Sequence, residues 1–437
     1  MKKITTLALA AAFAVAAYTP ASAVEVKMDG EYLFQFQTSS EEFEGANQDF
    51  AGQRLRVGMT FSACDDLSGY FQMQAGDTSW GDPESGGAFN VENGNAFFAR
   101  QAYIDWKVPG TDIKVRMGRH AFDMPAYATS SPIITDMVST GIVIDVPFND
   151  TVGVTGFWSR VARVGSYDLS SKKYDIFGLV GNASFEGFTF SPWVIYANHD
   201  DNITDGETES GFLEHEQGTI AAGQKADLVV FGGGFEWKPF DPVTFALDAA
   251  YGTTKYSDST EKNDEGWYVA ASAAYALDFG EPTLKAWYAS GDDEGARAQS
   301  GHVPSIYGDF DGSNTFFNSA PGIIGGHRTS IGGTWAVSAQ LNGLSFLDNL
   351  THDLSVTYIA GTNDKNNVGD DYGFGYSYMT TEDSAIEFAA VNTFELYKNL
   401  SAIFEAAYII EDFDTSRRAD KDFENDWRLS LSFAYSF

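Results

Sequence analysis

The C-terminal segment 426–437 alternates between two kinds of side chain. Its apolar positions are Trp427, Leu429, Leu431, Phe433, Tyr435 and Phe437. The residues between them are small, polar or charged. Because successive side chains of a β-strand point to opposite faces, the segment predicts a strand with one apolar and one polar face. A transmembrane barrel turns the apolar face to lipid, whereas a soluble sandwich turns it to a core.

The same period of two recurs along the chain, for example in Arg54–Ala63, Asp112–His120 and Leu400–Glu411. Turn signals divide the sequence into about eighteen strand candidates, or about sixteen if two weak segments are not strands. Many candidates reach the ~9–11 residues needed to cross a bilayer obliquely. Strands of soluble proteins average only ~5–6 residues, so strand length favours a membrane barrel.

The connections between these candidates alternate in length. Short turns such as Asp65–Ser68 and Lys398–Asn399 alternate with long segments such as 200–224 and 292–325. An up-and-down barrel has this layout, with tight periplasmic turns and longer external loops, and its closure leaves no unpaired strand edge in lipid. The sequence therefore predicts an all-β, antiparallel, up-and-down transmembrane barrel. The connection 341–351 is longer than a tight turn and does not fit the alternation.

The first residues predict export. Lys2 and Lys3 precede an apolar stretch that ends in Ala21-Ser22-Ala23, which is the three-part layout of a secretory signal peptide. We expect cleavage of residues 1–23 and a single barrel domain over 24–437. No later apolar run of ~18 residues predicts a helical span, and the one cysteine, Cys64, allows no intramolecular disulfide.

Charge and motif content exclude several classes of protein. The formal net charge of −34 at pH 7 repels nucleic acid. The sequence contains no His-Glu-x-x-His, no Gly-x-Ser-x-Gly and no Cys/His cluster, and its six histidines lack metal-ligand spacing. We therefore predict that the protein is not an enzyme.

Basic residues on the polar faces of early strands favour a pore. Arg54, Arg56, Lys114 and Arg116 alternate with apolar residues that would face lipid. Basic groups opposite carboxylates across a narrow, wet gap create a transverse field that hinders apolar solutes. Ordinary solvated charges or interstrand ion pairs are the alternative explanation.

The signal peptide, the opening strand Val24–Tyr32 and the alternating strand that ends in Phe437 resemble the general porins of Gram-negative bacteria. The nearest likeness is to the homotrimeric outer-membrane porins of Desulfovibrio-type sulfate-reducing bacteria. The resemblance implies a homotrimer in the outer membrane, with one water-filled pore per subunit for passive diffusion of ions and small hydrophilic solutes. It also implies that Phe437 belongs to the signal read by the barrel-assembly machinery.

The resemblance further implies a pore constriction. In such porins the third external loop folds into the barrel. Here that loop is 121–139, after Met117–His120, and it carries Asp123 and Asp136. The basic wall opposite these acids would be drawn from Arg54, Arg56, Arg100, Lys114, Arg116 and Arg119. The loop lacks the Pro-Glu-Phe-Gly-Gly motif of enteric porins, and Arg100 shares its parity with apolar residues of its strand.

Acidic clusters occupy most of the long connections, for example within 200–216. They would concentrate cations at an external mouth and could share divalent cations with lipopolysaccharide phosphates. Asp309, Asp311 and Asn314 supply the oxygen ligands of a Ca²⁺ loop without the full EF-hand spacing; no other cofactor is predicted. A basic eyelet would favour anions, but the acidic total is so large that we expect a slight preference for cations.

Three functions remain open at this point. A general diffusion porin is the first expectation. A channel selective for small organic acids or sulfate is the second, and in it the segment 292–325 would fold inward and help to gate the pore. A secreted soluble β protein, such as an adhesin or a structural surface protein, is the third.

Overall fold

The computed structural model describes residues 24–40, 49–80, 97–134, 137–163, 173–199, 225–257, 263–293, 301–306, 333–367, 379–417 and 425–437. The strands are β1 (Glu25–Ser39), β2 (Phe50–Cys64), β3 (Leu67–Ser79), β4 (Phe97–Lys107), β5 (Lys114–Phe122), β6 (Met137–Pro147), β7 (Val152–Arg163), β8 (Lys173–Phe185), β9 (Phe188–His199), β10 (Ala226–Phe240), β11 (Val243–Tyr256), β12 (Asp264–Tyr275), β13 (Glu281–Ala289), β14 (Thr334–Leu347), β15 (Leu350–Gly361), β16 (Ser384–Tyr397), β17 (Leu400–Asp412) and β18 (Asp426–Ser436). Two short 3₁₀ turns occupy Lys365–Asn367 and Thr415–Arg417.

Within the described ranges the eighteen strands form one closed antiparallel sheet. Each strand pairs with its neighbours along the chain, and β1 pairs with β18. The closed sheet confirms the predicted up-and-down barrel and the larger of the two predicted strand counts. In this described part of the chain, no helix is long and apolar enough to cross a bilayer.

The connection after β14 differs from the sequence prediction. We expected a connection over 341–351, but β14 continues to Leu347 and the turn is only 348–349. The pairing of β14 with β15 shifts between Leu341 and Leu344. Gly343 lies in this irregularity with φ +60°, a left-handed conformation that favours glycine. Because a bulge reverses the parity of the side chains that follow it, the period-two pattern stops there although the strand continues.

The apolar face of the sheet is the outside of the barrel. In β18, Trp427, Leu429 and Leu431 are 37%, 40% and 38% exposed, whereas Arg428 and Ser430 are 0% and 2% exposed. This is the reverse of a soluble sandwich, which buries its apolar face. An apolar outer surface on a sheet without edges is suited to hydrocarbon. The protein is therefore an outer-membrane β-barrel.

The register shows where the outer apolar belt ends on the long-loop side of β6 to β9. One row of paired outward residues consists of Ile142, Trp158, Phe177 and Tyr196. The next outward row toward the long connections consists of Thr140, Arg160, Asp175 and Asn198. The change from aromatic to charged and polar groups marks the water interface, where tryptophan and tyrosine are enriched.

The inside of the barrel contains a packed apolar cluster rather than water alone. Ile133 and Ile134, from the connection between β5 and β6, are fully buried. They belong to the same buried cluster as Ile176, Ile195 and Tyr268, which are strand residues. Part of this connection therefore lies inside the barrel, against the wall formed by β8 to β12.

Candidate functional site

The connection after β5 is attached to the barrel wall by one carboxylate. Asp248, in β11, is 4% exposed. Its Oδ1 accepts the backbone N–H of Tyr127 at 2.8 Å, and its Oδ2 accepts the N–H groups of Ala128 at 2.6 Å and Thr129 at 3.1 Å. Charge-assisted hydrogen bonds are roughly twice as strong as neutral ones, so Asp248 is the principal anchor of this loop among these contacts.

Two side-chain contacts attach the same loop to other strands. Tyr127 Oη lies 2.8 Å from Ser191 Oγ of β9, and Thr129 Oγ1 lies 2.5 Å from Tyr268 Oη of β12. Gly234 of β10 makes room for the loop, because a Cβ at that position would lie 2.5 Å from Tyr127 Cδ2. The loop therefore crosses the inner face of β9 to β12 in a fixed position.

A second segment, 301–306, also lies inside the barrel. The backbone N–H of Ile306 donates to the carbonyl oxygen of Ile133 at 3.0 Å, which joins the two inward segments directly. Two glycines of the wall accommodate the segment: a Cβ at Gly252 would lie 2.9 Å from Pro304 Cδ, and one at Gly266 would lie 2.2 Å from the carbonyl carbon of His302. Part of the long connection between β13 and β14 therefore enters the lumen.

Asn363 holds the start of this second segment. Its Oδ1 accepts the backbone N–H of Asp292 at 2.8 Å and lies 2.8 Å from His302 Nε2. Its Nδ2 donates to the carbonyl oxygen of Met379 at 2.7 Å. Asp292 Oδ1 in turn accepts the N–H of Gly301 at 2.6 Å. Asn363 therefore links the connections after β13 and β15 by side-chain hydrogen bonds.

The basic wall predicted from the sequence begins on β2. Arg54 and Arg56 face the lumen, and both approach Glu31 of β1: Arg54 Nη2 lies 2.7 Å and Arg56 Nη1 lies 3.7 Å from Glu31 Oε1. Arg56 Nε also donates to Gln74 Oε1 at 2.8 Å. Two guanidinium groups thus share one carboxylate here.

Arg100 is the extra residue of a bulge in β4, where the pairing with β3 shifts between Gln72 and Met73. Its Nη1 donates to Gln72 Oε1 at 3.2 Å. Because the bulge interrupts the alternation of side chains, the direction of Arg100 cannot be inferred from the apolar residues that follow it in β4.

Arg116 and Lys114 continue the wall on β5. Arg116 makes two hydrogen bonds to Asp105 of β4, at 2.7 and 2.8 Å, and its guanidinium lies 4.1 Å from the centroid of the Tyr103 ring. Lys114 is opposite Asp145 in the register of β5 and β6. These groups line a cavity of about 640 Å³ that Asp123 also borders. Cations and carboxylates therefore alternate along this wall.

The remaining predicted site residues do not join this arrangement. Arg119 lies on the outward face of β5, because it is an odd number of positions from Arg116, which faces the lumen. Its Nε donates to the carbonyl oxygen of Arg100 at 3.0 Å. Asp136, the candidate calcium ligands Asp309, Asp311 and Asn314, and the signal peptide 1–23 lie outside the described residues. The described residues hold no cluster of three or more potential metal ligands.

Sequence reasoning missed Asp248 and Asn363. The signal for Asp248 was available: it is an acid on the inward face of β11, between the inward-facing Ala246 and Ala250. An isolated carboxylate on a face of small residues needs a partner from elsewhere in the fold. No comparable local signal marks Asn363.

Phe437 lies where the barrel closes. Its backbone N–H and carbonyl exchange hydrogen bonds with Gly30 of β1 at 3.1 and 3.0 Å. Its ring stacks on Tyr435 with centroids 5.9 Å apart, and a Cβ at Gly30 would lie 2.4 Å from Phe437 Cζ. The terminal aromatic therefore covers Gly30 at the seam between the first and last strands.

No protein-family profile matches the chain, and no curated protein matches it. Solved structures of outer-membrane proteins from Pseudomonas aeruginosa are similar in fold. OprD has a TM-score of 0.56 at 10% identity, over 94% of this chain and 95% of that chain. OpdK has a TM-score of 0.56 at 9% identity, over 94% and 98%, and OccK9 (OpdG) has 0.59 at 10%, over 94% and 99%.

At these identities the likeness establishes the fold alone. It supports the predicted porin-type barrel in the outer membrane. It does not support the narrower resemblance to Desulfovibrio-type homotrimeric porins.

Proposed function

We propose that the protein is a solute-selective outer-membrane channel for small organic acids and similar hydrophilic anions. This is the second of the three functions that the sequence left open. The observation that carries the proposal is the hydrogen bond between Ile306 and Ile133, because it joins two inward segments into one obstruction. A general porin constricts its lumen with one inward loop, whereas two joined inward segments narrow and shape the lumen further, as discrimination between solutes requires.

The fixed position of the obstruction supports selectivity. The loop at 123–134 is held by Asp248, Ser191 and Tyr268, and 301–306 is held through Asn363. A constriction with fixed walls distinguishes solutes by size and by the placement of polar groups. A loosely attached loop would leave a pore of variable width and little selectivity.

The charges of the opposite wall support an anionic solute. Arg54 and Arg56 share the single carboxylate of Glu31, and Arg100 is hydrogen-bonded to the neutral amide of Gln72. This part of the wall therefore presents three guanidinium groups, although the chain as a whole is acidic. Guanidinium groups bind carboxylates well because their planar N–H groups match the two oxygens.

Planar-bilayer recording of the full chain tests the proposal. For a selective channel, we expect single-channel conductance to saturate with the concentration of one organic acid, and a reversal potential in a salt gradient that favours anions at the constriction. The triple variant Arg54→Gln/Arg56→Gln/Arg116→Gln should shift that potential toward cations, whereas Lys255→Gln, on the outside of the barrel, should not. Conductance that rises linearly with every salt would instead indicate a general diffusion porin.

The homotrimer, the recognition of Phe437 by the barrel-assembly machinery and calcium binding at Asp309, Asp311 and Asn314 remain predictions from the sequence. The passive mechanism follows from the proposal, because solute would move down its gradient through the lumen. We propose no enzymatic activity for the barrel.

A further inference from the structure

We propose that an outward-facing cationic arc on the long-loop side of the barrel binds the phosphate groups of lipid A, the lipid anchor of lipopolysaccharide, in the outer leaflet. The arc consists of Arg119 on β5, Arg160 on β7 and Lys173 on β8. The inference is independent of which solute passes through the pore.

The register places the arc at the depth of lipid phosphates. Arg119, Thr140, Arg160 and Asp175 occupy one row of paired outward positions on four adjacent strands. The neighbouring row on the membrane side contains Trp158 and Phe177 among its members. Charged groups next to the end of an apolar belt meet the phosphates that border the hydrocarbon.

The spacing suits a headgroup with more than one phosphate. Adjacent strands lie about 4.8 Å apart, so the backbones of Arg119 and Arg160, two strands apart, are separated by roughly 10 Å. Lys173 extends the arc to the next strand. A lipid A molecule carries phosphates at both ends of its disaccharide, so that two cations separated along the rim can each bind one.

Asp175 positions two cations of the arc. It is 2% exposed and accepts two hydrogen bonds from Arg160, from Nε at 2.7 Å and from Nη2 at 2.8 Å. Lys173 Nζ lies 3.4 Å from the same carboxylate. Asp175 therefore holds Arg160 and Lys173 next to each other on the rim. The pair also holds the Arg160 guanidinium 5.3 Å from the centroid of the Trp158 ring, at the edge of the belt.

In the neighbouring part of the rim, the cation Lys255 is opposite Asp227 in the register of β10 and β11, among further acidic and polar groups. On β10 the outward Asp227 accepts hydrogen bonds from Tyr196 Oη and Asn198 Nδ2, both at 2.7 Å. On β12, Glu265 accepts one from Tyr251 Oη. Cations are scarce in this chain, with 27 lysines and arginines against 61 acidic residues. Three of them on outward positions within four neighbouring strands, β5 to β8, therefore mark one side of the rim as complementary to an anion.

The test is a binding titration of the full chain, purified in neutral detergent, with purified lipid A. We expect saturable binding by native mass spectrometry, and weaker binding as salt increases, because exposed charge pairs are screened. The triple variant Arg119→Gln/Arg160→Gln/Lys173→Gln should bind about a hundredfold more weakly, at about a fivefold loss for each cation near the surface. Lys255→Gln, an outward rim substitution on β11, should bind as the wild type does.

Folding is checked by heat-modifiable gel migration, because Arg160→Gln removes the two hydrogen bonds that Arg160 donates to the buried carboxylate of Asp175. If the triple variant does not fold, the double variant Arg119→Gln/Lys173→Gln keeps the Arg160–Asp175 pair and should still lose more than tenfold in affinity. Enzymatic removal of the phosphates from lipid A should weaken its binding to the wild type at least as much as the triple substitution weakens the binding of intact lipid A. Equal binding of the two lipids, or a folded variant with wild-type affinity, would overturn the proposal.

Discussion

Replacing Asp248 with asparagine removes the negative charge that holds the loop at 123–134 and leaves the size of the side chain almost unchanged. In the native barrel, both carboxylate oxygens accept backbone N–H groups, from Tyr127 on one side and from Ala128 and Thr129 on the other. Asparagine offers one oxygen and one NH₂ group. The NH₂ group therefore faces at least one N–H donor and cannot accept from it.

The size of the effect follows from these three bonds. A hydrogen bond to a charged group contributes about 1.5–3 kcal/mol, and Asp248→Asn loses at least one outright. A loss of this size raises the ratio of detached to attached loop by roughly 10- to 150-fold. The strands themselves keep their pairing, since Asp248 acts on the loop through its side chain. We therefore expect a change in pore behaviour with little change in barrel stability.

Single-channel recording measures the loop directly. The wild-type channel should show one dominant conductance, and Asp248→Asn should add excursions to higher conductance whose total dwell time rises by the same factor as the detached fraction. Asp227→Asn is the matched control, because it removes a carboxylate on the outer rim that does not contact the loop. Heat-modifiable migration should show that all three proteins are folded to the same extent. Identical conductance histograms for Asp248→Asn and wild type would refute the assignment of Asp248 as the anchor.

Two further substitutions test separate parts of the structure. Gly266→Ala would place a Cβ 2.2 Å from the carbonyl carbon of His302, so it should displace 301–306 and raise single-channel conductance. Gly69→Ala is the control, because its Cβ would lie 3.8 Å from the nearest atom, and it should leave conductance unchanged. Equal conductance in the two variants would contradict the role of the segment. Gly30→Ala would place a Cβ 2.4 Å from Phe437 Cζ and 2.6 Å from the carbonyl oxygen of Arg56. It should therefore displace the ring and the pairing of β1 with β2 at the closing seam, and so slow barrel assembly from urea into detergent micelles, measured as the rate of appearance of the heat-modifiable form. An unchanged rate would show that these contacts form after the slow step.

The sequence predicted which charged residues of several strands face the lumen, although it predicted the strands themselves more completely. The polar-face positions of Arg54, Arg56, Lys114 and Arg116 follow from period two, and the register agrees with them. The same parity puts Arg119 on the opposite face from Arg116, since the two are three positions apart, so the outward direction of Arg119 could be predicted from the sequence. The bulge at Arg100 was not, because a bulge is set by pairing with the neighbouring strand.

The sequence by itself placed most of the strands, limited their number to about eighteen or sixteen and gave each an apolar face, because alternation and turn residues act over a few neighbouring positions. The interior arrangement was decided only by the tertiary structure. Asp248 and the loop it holds are about 120 positions apart along the chain, and Ile306 reaches Ile133 from a different connection. Such contacts depend on barrel closure, which brings together residues that no local pattern relates, and the pore is shaped by these contacts.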